Sequence, residues 1–293
     1  MAASFAVVGP GRLGQALARR WVLGGLRCHG FLGRTPEAAA RALAFVGSGA
    51  VLPAPAALQH CAIVLVAVQD DRLAAVVADL VAAGAVRLCS LWLHASGRFG
   101  LEPLQPAAVA GARVGALHPL CPVPDPAAGV ALLGGKTALL EGGPRALRLL
   151  RVLAQRAGLV PWEAAVADRV LYHAACALAS NGVTALFDLC AQLLQQACGA
   201  PPPPAALAGL LRAALDLCAH RGAAAALSGP VRRGDHRVVA AHCAALQRAT
   251  PPAAALAYRA LMQHALHLAM QQGGLDSAQE DALRALLHGG AGC

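Results

Sequence analysis

Two hydrophobic textures divide the chain. In its first half, short apolar runs alternate with stretches whose apolar residues recur at helical spacing. Runs at 5–8, 27–32, 50–52, 63–68, 88–93, 113–117, 130–132 and 137–140 read as strands. Segments 12–23, 36–45, 72–82 and 145–157 read as helices, the first with Leu13, Leu17 and Trp21 on one face. Strands separated by helices of this length form βαβ units and hence a parallel sheet. From residue 164 the texture becomes alanine- and leucine-rich with helical patterns over 164–198, 205–220, 235–247, 253–271 and 277–287. Pro201–Pro204, Ser228-Gly229-Pro230, Pro251-Pro252 and Gly273-Gly274 punctuate them. The expectation is an α/β domain with a doubly wound parallel sheet over 1–162, then an all-α domain over 163–293, with the boundary near Pro161-Trp162.

Composition sharpens this picture. The 293 residues are 57% hydrophobic and 13% charged, which excludes a disordered, solvating chain. The positive mean hydropathy raises the question of a membrane, yet the strongest apolar run, 62–68, stops at Gln69-Asp70-Asp71. That is far short of the roughly 18 residues a span requires, so no span is expected. Residues 1–8 lack the basic start of a secretory leader and meet Gly9-Pro10-Gly11; the reading is a soluble, cytoplasmic protein. The ten cysteines, at 28, 61, 89, 121, 176, 190, 198, 218, 243 and 293, contain no C-x-x-C pair, so neither a disulfide scaffold nor a metal site is expected. Cys176, Cys190 and Cys218 lie in helical patterns and read as small buried hydrophobes. The net charge of +9 is spread out and almost wholly arginine, Lys136 being the only lysine, and aromatic residues make up 3%. Nucleic acid is not an expected partner. Long apolar helices with few charges point to a homodimer through the helical domain.

The sharpest motif is Gly9-Pro10-Gly11-Arg12-Leu13-Gly14. This G-x-G-x-x-G follows a predicted strand and opens a predicted helix, the context in which it binds a dinucleotide. Gly9 permits the turn, Gly11 lets the backbone approach a pyrophosphate, and Gly14 allows close helix–strand packing. The second strand ends in Gly33-Arg34-Thr35, with no acidic residue from Phe5 until Glu37. An acidic residue there would hold the ribose 2′-hydroxyl of NAD. Arg34 and Thr35 instead suit the 2′-phosphate of NADP, with Arg12 near enough to assist. In the second half, Asp235 reads as a helix N-cap behind Arg232-Arg233, two arginines that are either solvated or placed to bind an anion.

These segments, with 66–71 after a buried strand and His94-Ala95-Ser96-Gly97 after the next, resemble the NADP-binding Rossmann half of the 6-phosphogluconate dehydrogenase-like superfamily. Ketopantoate reductases, pyrroline-carboxylate reductases and deazaflavin-dependent NADP oxidoreductases belong to it. Segments 116–120, 172–181 and 227–235 resemble, more particularly, the Rossmann-like family whose helical half is the domain of unknown function 2520. The superfamily resemblance implies that Val68 and Gln69 meet the nicotinamide ribose and that Ser96 and Gly97 hold substrate. It also implies that Asn181 is the asparagine of the first long helix in the second domain. Many of these dehydrogenases carry a lysine four residues before that asparagine; here the position is Ala177. His173, Ala177 and Asn181, spaced i, i+4 and i+8, share a helix face, so His173 is the proposed proton donor, with Tyr172 and Ser180 as substitutes. His118, before Pro119, can reach the same cleft, and so can His94. The expected activity is NADP(H)-dependent reduction of a small C=O or C=N substrate, or its reverse. The alternatives are a non-catalytic NADP(H)-binding sensor or regulatory protein, and hydride exchange with a deazaflavin.

Overall fold

A computed structural model describes residues 4–288. The chain separates into two compact units, Met1–Ser180 and Asn181–Cys293. The expected α/β domain is present. In the first unit the described residues form a seven-stranded sheet ordered β2-β1-β3-β4-β5-β6-β7. Its strands are β1 (Ser4–Val8), β2 (Arg27–Leu32), β3 (Ile63–Val66), β4 (Leu91–His94), β5 (Arg113–Pro119), β6 (Thr137–Gly142) and β7 (Val160–Glu163). All neighbours pair parallel except β5 with β6.

Helices α1 (Arg12–Leu23), α2 (Pro36–Val46), α3 (Leu73–Ala82), α4 (Gln105–Val109), α5 (Pro126–Leu132) and α6 (Pro144–Arg156) flank the sheet, and α7 (Arg169–Ala177) completes the unit. Both sheet faces are covered, which is why the strands read as unbroken apolar runs. In β1, Phe5 and Val7 join one core with Leu17 and Trp21 of α1 and Leu150 and Leu153 of α6. Ala6 and Val8 join the other with Leu73 and Val77 of α3 and Trp92 of β4. Trp21 anchors the first core, edge-on to Phe5 at 5.2 Å, its buried indole N–H donating to the Leu153 carbonyl at 2.9 Å.

Three readings change. Residues 130–132 lie in α5, not a strand, because Asp125 caps the helix through the Ala128 N–H at 2.8 Å and Pro126 occupies its first turn. Residues 50–52 contribute only a single bridge, Phe31 to Val51. The predicted helix 164–198 begins at Arg169, where Asp168 accepts from the Leu171 N–H at 2.9 Å, and a π-turn, Leu178–Gly182, interrupts it. The first unit thus runs past the boundary expected after Trp162: β7 straddles that point and pairs with β6.

The second unit is helical: α8 (Val183–Cys198), α9 (Pro204–Arg221), α10 (Ala223–Ala226), α11 (Pro230–Arg233), α12 (His236–Gln247), α13 (Ala253–Gln271) and α14 (Ser277–His288). Its core gathers Val231, Val239, Ala265, Leu266, Leu283 and Leu287. No residue of α8 is buried, and Leu207 alone is buried in α9. The cysteine reading is corrected here, since Cys218 is exposed and Cys176 and Cys190 are half-buried; Cys28, Cys61 and Cys243 are the buried thiols. Cys293 lies outside the described residues. The absence of a long apolar segment is corrected too: Arg169–Cys198 is long and apolar enough to cross a membrane by length and composition. This helical stretch, not the β3 run, is the strongest such signal. Asp235 stands before α12 but caps nothing, its carboxylate accepting instead from Arg233 Nε at 2.9 Å.

Candidate functional site

The sheet order places β2 and β3 on opposite sides of β1, so the chain reverses its direction of travel across the sheet at β1. Ligands of open parallel sheets bind beyond the carboxyl ends of strands at such a point. Gly9 occupies it, with φ of +65° and its N–H donating to the Leu32 carbonyl at 2.8 Å. A Cβ on Gly9 would collide with the side chain of Val68. On Gly14 it would stand 2.8 Å from the Ala67 Cβ, so β3 and α1 pack against bare backbone there. Gly11 differs: a Cβ there meets nothing closer than the Ala67 carbonyl at 3.7 Å. Its face is open, and no side chain caps the amino end of α1 that it begins. Such a helix end, with its first N–H groups unengaged, receives phosphate.

Around this turn, Pro10 is buried and its carbonyl accepts from Gln15 Nε2 at 2.8 Å, while Leu13 is half-buried. Arg12 is exposed and donates to the Pro124 carbonyl at 3.1 Å. Arg34 is exposed at the end of β2. Thr35 is the N-cap of α2, its hydroxyl oxygen accepting from the Ala38 N–H at 3.3 Å, and its hydroxyl also hydrogen-bonds the exposed Glu37 carboxylate, which it helps hold below the usual carboxylate range. Gln69 is exposed, immediately after Val68. The residues thus fit a dinucleotide phosphate: an open glycine face, an uncapped helix end and an unshielded arginine at the second strand's end.

A second group of side chains gathers beyond the ends of β4 and β5. His94 is buried, its Nε2–H donating to the Gly100 carbonyl at 2.6 Å and its Nδ1 accepting from the Ser96 N–H at 3.1 Å. Both nitrogens are committed to the Ser96–Gly100 loop, so His94 shapes that loop and has no nitrogen left for substrate. Burial, above all, holds its pKa below the usual histidine value. The Ser96 hydroxyl oxygen accepts from Arg98 and Phe99 N–H groups at 3.1 and 3.4 Å. Gly97 is buried; a Cβ there would stand 2.8 Å from His118 Cε1 and Nε2 and 3.1 Å from His173 Cδ2. Ser96, Gly97, His118 and His173 are therefore neighbours within the first unit.

His118 Nδ1 shares a hydrogen bond with the Tyr172 hydroxyl at 2.8 Å. Burial, then the charges of His173 and Arg169, push the His118 pKa down to about 4, so the ring is neutral at physiological pH. Burial and the adjoining Cys176 thiol push the Tyr172 hydroxyl up, so it keeps its proton. Arg169 lies over the Tyr172 ring, its Cζ 5.6 Å from the centroid, and pairs with Glu141 of β6. Neither Arg169 nor Glu141 was singled out from the sequence. Their signals were an acid directly after a predicted strand and an arginine within an otherwise apolar helical stretch. Asn181 belongs to the second unit and lies in the π-turn. Among the described residues, no three His, Cys, Asp or Glu side chains gather as a metal site.

A model of the Rossmann-like domain matches residues 2–119, and a model of a domain of unknown function, DUF2520, matches residues 137–265. The chain is a Rossmann-like protein carrying a DUF2520 domain. No curated protein matches it in sequence. Among solved structures, this DUF2520 protein is similar to a candidate NADP oxidoreductase from Bacteroides fragilis, with a TM-score of 0.72, 18% identity, and coverage of 91% of this chain and 98% of that one. It is also similar to an imine reductase from Pseudomonas sp. (TM-score 0.60, 20% identity, coverage 99% and 95%). A reductive aminase from Aspergillus terreus, in complex with NADPH and ethyl levulinate, gives a TM-score of 0.61 at 16% identity, with coverage of 98% and 93%. At these identities the likeness is one of fold.

Proposed function

We propose that this DUF2520 protein is an oxidoreductase that binds NADP(H) and reduces a small C=O or C=N compound, or catalyses the reverse reaction. The observation that carries the reading is the Gly9–Gly14 turn at the crossover of the sheet, with Gly11 presenting open backbone before an uncapped helix end. Pro10, Gly11, Arg12 and Leu13 would line the pyrophosphate, Arg34 and Thr35 would take the 2′-phosphate, and Val68 and Gln69 would flank the nicotinamide ribose. When bound, the nicotinamide supplies or accepts the hydride. The protein's own part is the proton. Ser96, Gly97, His118 and His173 would meet the substrate, and the hydrogen bond between neutral His118 and protonated Tyr172 gives a short path along which a proton reaches or leaves the substrate heteroatom. The likeness in fold to an imine reductase and a reductive aminase supports this reading. A cytoplasmic setting suits nine free thiols among the described residues.

Ala177, where many relatives in the superfamily have a lysine, favours one other reading: a non-catalytic NADP(H)-binding sensor. Fluorescence titration with NADPH and NADH separates the possibilities. NADPH is expected to bind at least tenfold more tightly than NADH, Arg34→Ala to erase that preference, and Gly11→Ala to abolish binding without lowering Tm. Equal affinity for both cofactors in the wild type would remove the NADP assignment. Tight NADPH binding with no turnover on any ketone or imine, and indifference to His173→Ala, would favour the sensor.

A further inference from the structure

The Arg169 side chain is 9% exposed, and its Nη2 meets Glu141 in an ion pair. Its Nε and Nη1 are buried and have no hydrogen-bond partner. Buried guanidinium donors without acceptors forfeit their hydration without recompense, so an arginine held this way in the first turn of α7 needs a further explanation. Its position supplies one. The Tyr172 ring that it overlies is hydrogen-bonded to His118, and His118 and His173 close on Gly97. Arg169 is thus adjacent to the groups assigned above to the substrate. His94 and His118 are held neutral in this region, which leaves the guanidinium as its fixed cation. Glu141 engages it through one nitrogen, and Glu102 acts on it through space.

We propose that Arg169 selects an anionic substrate: a small oxo or imino acid whose carboxylate accepts from the unpartnered guanidinium N–H groups. The proposal rests on the reductase reading for the identity of the reacting C=O or C=N group, but the anion site stands on Arg169 itself. Guanidinium is suited to the task, since its planar fork of donors matches a carboxylate and stays charged when desolvated. Glu141 then has a defined role. It compensates the buried cation while substrate is absent, and it competes with the substrate carboxylate when substrate arrives. A purely structural ion pair would be weakened by losing either partner; an anion site responds to the two losses with opposite signs.

The test uses the full chain and three probes that share a carbon skeleton: 2-oxopentanoate, its methyl ester and pentan-2-one. Binding is measured by isothermal titration with and without saturating NADPH, and NADPH consumption is followed separately. The acid is expected to bind at least tenfold more tightly than ester or ketone. Arg169→Met should remove that preference, Arg169→Lys should keep part of it, and Glu141→Gln should tighten the acid about threefold or more while leaving the ester unchanged. Equal binding of acid and ester, or an unaltered or weaker acid affinity in Glu141→Gln, overturns the inference. Acid binding that responds to Arg169 and Glu141 as stated, without NADPH consumption, would keep the anion site and remove the reductase reading. Consumption of NADPH as fast with ester and ketone as with acid would do the reverse.

Discussion

At the scale of single residues, His118 gives the molecule a pH dependence with a definite sign. An imidazole in the unfolded chain takes up a proton below about pH 6.5, whereas His118 stays neutral in the folded protein down to about 4. Between those values the unfolded state binds the extra proton, so stability is present above pH 6.5 and lost as the pH falls toward 4. A displacement of that size amounts to about 3 kcal/mol across the window. All three tryptophans, Trp21, Trp92 and Trp162, belong to the first unit, so urea unfolding followed by tryptophan fluorescence reports on the unit that holds His118. The wild type is expected to lose stability between pH 6.5 and 4.5, and His118→Gln to lose distinctly less; equal losses in the two proteins would contradict the buried, neutral assignment. At this scale the site was partly legible. The glycine turn and the position of Arg34 at the end of β2 follow from motif and context, and His118 is placed near the expected cleft only by its position before Pro119 at a strand end. Arg169 and Glu141 were not legible, because each has an ordinary reading alone and acquires meaning only when β6 brings Glu141 beside the start of α7.

At the scale of elements, the amino end of α2 carries two tasks on one residue. Thr35 caps the helix through its hydroxyl oxygen, and in the functional reading it also donates to a 2′-phosphate. Thr35→Asp separates them. Aspartate is at least as good an N-cap as threonine, so Tm should change by no more than a degree or two. Its charge beside Arg34 should weaken NADPH about tenfold and leave NADH nearly unaffected. Equal loss of both cofactors would mean that residue 35 shapes the loop and does not read the phosphate. Elements were legible where one period ruled a long stretch: β1 through α2, and the long helices after Pro204. They were misread where context outweighed pattern. Residues 130–132 look like a strand, but a capping aspartate and a proline commit them to α5. β7 is four residues long, half-buried to exposed, and contains a proline, so it lacks a strand's signature and exists because β6 offers it an edge.

At the scale of the whole molecule, the unresolved quantity is apolar surface. An isolated helix the length of α9 is marginal in water, and packing of one face normally secures it. Yet α8 buries no residue, α9 buries only Leu207, and Leu210, with 69% of its surface exposed, stands seven residues from exposed Leu217 on the same face. Covering one leucine contributes about 1.5–3 kcal/mol, so covering such surface favours association against its entropic cost. We therefore expect a homodimer with a second copy seated on α8 and α9, the occupant that also supplies the cover missing from the apolar helix Arg169–Cys198. Sedimentation equilibrium at micromolar concentration should give twice the 29.5 kDa chain mass. Leu210→Asp with Leu217→Asp should shift the protein to monomer while the tryptophan transition of the first unit stays in place. Amide exchange along α9 should be slow in the wild type and fast in the double variant. A monomer at every concentration, with α9 exchanging freely, would mean that these helices persist without a partner of their own kind. Recovery of the chain only with lipid or detergent would transfer the apolar stripe from a second copy to a membrane.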